Sequence, residues 1–174
     1  MHSPESSGEG RSQNALINYK QARQEFQTLS AADPQEVRAK RYAGLCERNI
    51  GVVQAGMGEY EGAFRNIQKA ASVFETISAV RRADRLSTLP DLAKTYSALG
   101  VAYSQAAAQP GLSKARRIRW WQSARAAFQK SLDIWLQDKQ LGAVPKVVAA
   151  ELAGVAAQLS NCNAVLRRNT RFGQ

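Results

Sequence analysis

The sequence predicts an all-α fold, a solenoid of about six antiparallel helices stacked side by side. Three observations carry this expectation. Only five of the 174 residues are proline, alanine is abundant, and β-branched residues rarely run together. Such a composition suits packed helices, because alanine combines high helix propensity with little bulk. Second, three segments align without gaps: ALINYKQARQEF (15–26), AFRNIQKAASVF (63–74) and ARAAFQKSLDIW (124–135). Third, a different helix type lies between them, in CERNIGVVQAGMGEY (46–60) and KTYSALGVAYSQA (94–106), each with a glycine in its interior.

The three aligned segments share one face. Each opens on alanine (Ala15, Ala63, Ala124), followed by a large apolar residue four places on (Tyr19, Ile67, Phe128). A small residue comes next (Ala22, Ala70, Ser131), and then an aromatic (Phe26, Phe74, Trp135). Offsets of four, seven and eleven fall on a single helical stripe. The small positions let a neighbouring helix approach and the large ones fill the space beside it. Gly51 and Gly100 occupy equivalent places in the other helix type. An interior glycine costs a helix about 1 kcal/mol relative to alanine, so its recurrence predicts close helix contact rather than a break.

Taken in order, the elements are as follows. Residues 1–12 are rich in Ser, Gly and Glu, lack apolar anchors, and are expected to form a disordered tail. A first helix spans about 13–30 and ends before Asp33-Pro34. Its pattern is that of a second-type partner, so the array starts half a repeat in. Helices follow at about 35–56 and 60–82, separated by the turn at Gly56–Gly58. Pro90 is placed at the start of a helix over 90–108. Pro110-Gly111 breaks that helix, and Ser113 is positioned to cap the next, over 114–138. After a linker at 141–145, an amphipathic helix over 146–168 is expected to close the stack, leaving a tail at 169–174.

Tyr96, Leu99, Gly100 and Tyr103, followed by Ala124, Phe128 and Ser131, resemble the tetratricopeptide-repeat (TPR) signature. Residues 47–70 resemble a second copy through Ile50, Gly51, Ala63, Ile67 and Ala70. They depart from the signature at Glu47 and Gln54, where the pattern asks for aromatics. The repeat length also departs from the usual 34 residues. Gly51 and Gly100 are 49 residues apart, and Ala63 and Ala124 are 61 apart, with QPGLSKARRIRWW inserted between them. Residues 29–70 and 124–166 are similar to the long TPR units found downstream of bacterial serine/threonine protein kinase domains. The resemblance implies a right-handed TPR-type helical solenoid over 13–168 with a C-terminal capping helix. It further implies a protein–protein interaction scaffold belonging to bacterial signalling. No Gly-rich phosphate loop, HRD-type catalytic loop or DFG motif is present.

Few groups suited to catalysis are available. The 14 acidic residues are scattered, and the one histidine, His2, lies in the N-terminal tail. Cys46 and Cys162 are far apart and neither belongs to a CxxC pair, which predicts two buried free thiols in a reducing compartment. The expected chain is therefore not an enzyme, uses no metal and no cofactor, and is cytoplasmic. No apolar run approaches the ~20 residues that cross a bilayer.

In TPR domains the first helix of each pair lines a concave groove. Carried over by register, that face takes in Leu45, Arg48, Asn49, Val52 and Ala55, and then Lys94, Ser97, Val101, Ser104 and Gln105. Its mix of cations, amides and small apolar groups predicts a protein or peptide partner of acidic character. Val52 and Val101 stand where family members that clamp a C-terminal carboxylate carry asparagine, which argues against chaperone-tail binding. The formal net charge of +10 offers an alternative. Lys114, Arg116, Arg117 and Arg119 lead into Trp120-Trp121, a combination that could serve phosphate contact and base stacking on nucleic acid, or an anionic surface. Two further clusters, Arg81/Arg82/Arg85 and Arg167/Arg168/Arg171, fall at helix C-termini, where the helix dipole favours cations without any ligand. Homo-oligomerisation through the unpaired first helix is the third expectation.

Overall fold

A computed structural model of the chain describes residues 4–80, 82–141 and 145–171. Six helices account for nearly all of them: α1 (Pro4–Ala32), α2 (Val37–Gly56), α3 (Tyr60–Val80), α4 (Arg82–Ala107), α5 (Lys114–Gln140) and α6 (Pro145–Arg171). No strand occurs among the described residues. Turn chemistry sets several boundaries. Glu36 caps α2, its carboxylate accepting the Arg38 N–H at 2.7 Å. Ser113 caps α5 as its sequence context predicts, its hydroxyl accepting the Arg116 N–H at 3.3 Å. Gly58 and Gly111 take φ of +81° and +77°, the left-handed region that side chains disfavour, and they turn the chain between α2 and α3 and between α4 and α5.

Three boundaries differ from the sequence expectation, at the starts of α1 and α4 and at the end of α6. Helix α1 begins at Pro4 rather than near residue 13. Proline is favoured at a first helical position, and a side chain built at Gly8 or Gly10 would meet nothing, so this stretch stands clear of the other helices. Helix α4 begins at Arg82, which puts Pro90 inside it instead of at its start. An interior proline costs about 3 kcal/mol through its missing N–H and its clash with the preceding turn. Burial of Thr88, Leu89 and Leu92 around Pro90 offsets that cost. Ser87 and Thr88 both donate to the Asp84 carbonyl and tie the turn before the proline. The linker expected at 141–145 is described only at Leu141 and Pro145; residues 169–171 of the expected tail continue α6, and 172–174 lie outside the described residues.

Each helix packs against the next in chain order, and α2 also touches α4. Helices α3 and α5 meet through Phe64 and Trp120, whose rings sit edge to face at 6.0 Å. Helices α4 and α6 line a shared cleft. The even-numbered helices thus lie along one side and α3 and α5 along the other.

The repeated stripe forms the core. Ala63, Ile67, Ala70 and Phe74 of α3 and Ala124, Phe128, Ser131 and Trp135 of α5 are all essentially inaccessible to solvent. Their α1 counterparts Ala15, Tyr19, Ala22 and Phe26 are only half-buried, because α1 has a neighbour on one side alone. The interior glycines are contact points, as their recurrence predicts. A Cβ on Gly51 would lie 2.5 Å from Cγ1 of Ile67 and 2.8 Å from the Ala63 carbonyl oxygen. One on Gly100 would lie 2.7 Å from the Phe128 ring. Helix α6 contributes the stripe Val148, Val155 and Cys162, with Leu152 and Leu159 packed beside it. This periodicity of seven is what a helix lying along one neighbour requires.

Candidate protein-interaction surface

The two signature departures are polar joints between helices. Glu47 of α2 is 1% exposed. The Arg23 guanidinium of α1 donates to its Oε2 at 3.2 Å, and the Lys69 ammonium of α3 lies 2.6 Å from its Oε1. At the equivalent place in the next unit, the Tyr96 hydroxyl donates to Glu75 of α3 at 2.6 Å, and Lys130 of α5 donates to the same carboxylate at 2.8 Å. Lys69 and Lys130 are themselves equivalent, each six residues after the opening alanine. The second departure behaves likewise. Gln54 accepts from Asn66 at 2.6 Å and donates to Glu59 at 3.1 Å. Its counterpart Tyr103 instead stacks on Phe64 at 4.0 Å and accepts from Gln68.

The Glu75 joint gives a pH dependence. Burial alone would raise its carboxyl, but the hydrogen bonds from Lys130 and Tyr96 and the Lys130 charge bring it below its ordinary value. A carboxyl whose folded pKa is depressed adds stability that is present above its unfolded pKa and lost as pH falls through the folded value. Tyr96 and Lys130 are both raised, so their contribution is lost at the alkaline end instead. Thermal melts of wild type and Glu75→Gln are therefore expected to differ most near neutrality and to converge in acid. A difference that stays constant down through the carboxylate range contradicts this account.

The groove candidates do not behave as one set. Val52 and Val101, one residue after the two contact glycines, are 48% and 38% exposed. Most valines at helix contacts are covered, and here both equivalents are open. Ser97 and Val101 of α4 face Ala150, Glu151, Gly154 and Gln158 of α6 across an open cleft of about 600 Å³. Lys94 pairs with Glu151 at 3.4 Å at the side of that cleft, and Gln105 is exposed. Asn49 is half-buried, Ala55 is in the core, and Ser104 spends its hydroxyl on the Gly100 carbonyl at 2.9 Å. Leu45 packs against the main core. Arg48 is half-buried, and burial lowers its guanidinium pKa against the opposing pull of Asp91. Asp91 also holds Arg41 at 2.6 Å, joining α2 to α4. Register alone could not find the part played by α6, because the cleft depends on where the last helix docks.

Around the start of α5, Lys114, Arg116 and Arg119 are exposed, while Arg117 donates to the Gln109 carbonyl at 3.4 Å. The Arg116 guanidinium sits 5.8 Å from the Trp120 ring centre. Trp120 and Trp121 are partly buried against the two core clusters, which limits the ring surface open to stacking. Arg167 and Arg168 are exposed at the end of α6. Arg81 and the side chains of Arg82, Arg85 and Arg171 lie outside the described residues. Arg82 and Arg85 fall in the first turn of α4 rather than at the helix C-terminus expected for them, so the helix dipole does not account for that cluster.

Both cysteines are buried and free. Burial pushes both thiols up, with Glu47 adding to the effect at Cys46. Raised thiols are poor nucleophiles. Among the described residues, no group of three or more His, Cys, Asp or Glu side chains could hold a metal, and no helix is long and apolar enough to cross a membrane. No protein-family model, curated protein or solved structure matches the chain.

Proposed function

We propose that the chain is a non-catalytic TPR-type interaction scaffold that binds a peptide or helix of a partner protein along the face shared by α2 and α4. The observation that carries this reading is the pair Val52 and Val101. They are exposed at equivalent places of two stacked units, on helices that touch, and Val101 lines an open cleft. Open apolar side chains repeated along a stack offer anchors to an extended ligand, and the polar groups at Ser97, Gln105 and Glu151 can fix its register. Repeat spacing and signature residues support the TPR reading, and a cytoplasmic place in bacterial signalling follows from the resemblance.

Peptides selected on the wild-type chain from a displayed random library are expected to lose binding at least tenfold to Val52→Glu/Val101→Glu. Both sites are exposed, so the variant should retain its helical circular dichroism and melting temperature. Selected peptides that bind the folded double variant as well as wild type would remove the groove reading.

A further inference from the structure

The positive charge of this chain is not spread evenly. Residues 1–91 carry 12 Lys and Arg against 11 Asp and Glu, whereas residues 92–174 carry 12 against 3. No acidic residue occurs in 92–132 or in 152–174. Because α5 and α6 pack against each other, the start of one meets the end of the other. Ile118, Gln122 and Arg125 of α5 share a cleft of about 390 Å³ with Asn163, Leu166 and Arg167 of α6. Arg125 and Arg167, far apart in sequence, thus line one cleft.

The helix dipole accounts for Arg167 and Arg168 at the end of α6, but it disfavours cations in the first turns of α5. Lys114, Arg116, Arg119 and Arg125 have no carboxylate partner among the described residues. No ion pair within the described residues accounts for them, although Arg116 rests beside the Trp120 ring. The floor of the cleft bears on what would occupy it. Ile118 and Leu166 are half-buried there, with the amides of Gln122 and Asn163 beside them. A phosphate backbone has no apolar group to place on such a floor, and both tryptophans that could stack on bases are partly buried against the core. A lipid surface calls for protruding apolar side chains rather than recessed ones.

We infer that the α5/α6 end is a second docking surface, separate from the α2/α4 face, for an acidic protein segment with an apolar anchor. The anchor would sit on Ile118 and Leu166, and flanking carboxylates would meet Arg125, Arg167 and Arg119. Arginine suits this role because its planar fork can hold a carboxylate through two parallel hydrogen bonds.

The probe is a short fluorescein-labelled Glu-rich peptide with leucines at i and i+4, measured by anisotropy at physiological salt. Binding is expected, with on the order of tenfold loss for Arg125→Glu/Arg167→Glu. A control, Lys20→Glu/Arg65→Glu, makes the same change in net charge at exposed positions of α1 and α3 and is expected to bind normally. Replacing the peptide leucines by serine should also weaken binding. Equal binding of the serine peptide, equal loss in both charge variants, or tighter binding to duplex DNA or phosphatidylserine vesicles would each overturn the proposal. Circular dichroism keeps an unfolded variant from counting as a loss.

Discussion

Gly51→Val is expected to destabilise the chain by about 3 kcal/mol, near the upper end of overpacking costs. The position admits no side chain, since a Cβ alone would come within 2.5 Å of Ile67 and 2.8 Å of the Ala63 backbone oxygen. Ile67 is a flexible side chain, but the carbonyl belongs to α3 itself, so relief means pushing two helices apart. Helix propensity works in the opposite direction, because valine is a better helix former than glycine. Gly154 of α6 supplies the contrast, as a Cβ there would meet nothing within 4 Å. Gly154→Ala should therefore raise stability by about 0.5–1 kcal/mol. Denaturant unfolding of the two variants separates close packing from propensity. A neutral Gly51→Val would mean that α2 and α3 do not meet at this point.

Glu47→Ala is expected to cost about 3 kcal/mol, the lower end of the range for removing one member of a buried ion pair. The carboxylate is 1% exposed, and its loss leaves Arg23 and Lys69 facing each other across the site. Lys69 is largely exposed and can turn to water, which keeps the penalty from being larger. Replacing the whole joint by apolar residues, Glu47→Leu with Arg23→Met and Lys69→Met, should recover most of the loss, because the desolvation of buried Glu47 and part-buried Arg23 disappears with them. If Glu47→Ala melts like wild type, the three-helix joint contributes nothing. A triple variant no more stable than Glu47→Ala would show that side-chain shape, rather than unpaired charge, sets the cost.

The helical class and the core stripe were legible because they rest on local periodicity. The four positions predicted in 63–74 and 124–135 are the ones that vanish from solvent, and the two interior glycines are points of close helix contact. Ser113 was legible for the same reason, since a cap depends only on its own turn. What failed depends on tertiary contact. Pro90 reads as a helix start from local rules, yet buried neighbours hold it inside α4. Glu47 was visible as an anomaly, but its cations come from helices 24 residues before it and 22 residues after it in sequence, out of reach of any local pattern. The candidate groove shows both effects. Val52 and Val101 are open, whereas Leu45 and Arg48, on the same helical face by register, are drawn into packing with adjacent helices.

A backbone-amide NMR titration of the 19.0 kDa chain with a library-selected peptide tests the central claim most directly. Shifts are expected to cluster at Val52, Ser97, Val101 and Gln105 and on the facing stretch of α6 around Gly154. The outward sides of α3 and α5 should stay unmoved. Shifts confined to α3 and α5, or absent from both valines at saturating peptide, would contradict the assignment of the α2/α4 face as the binding surface.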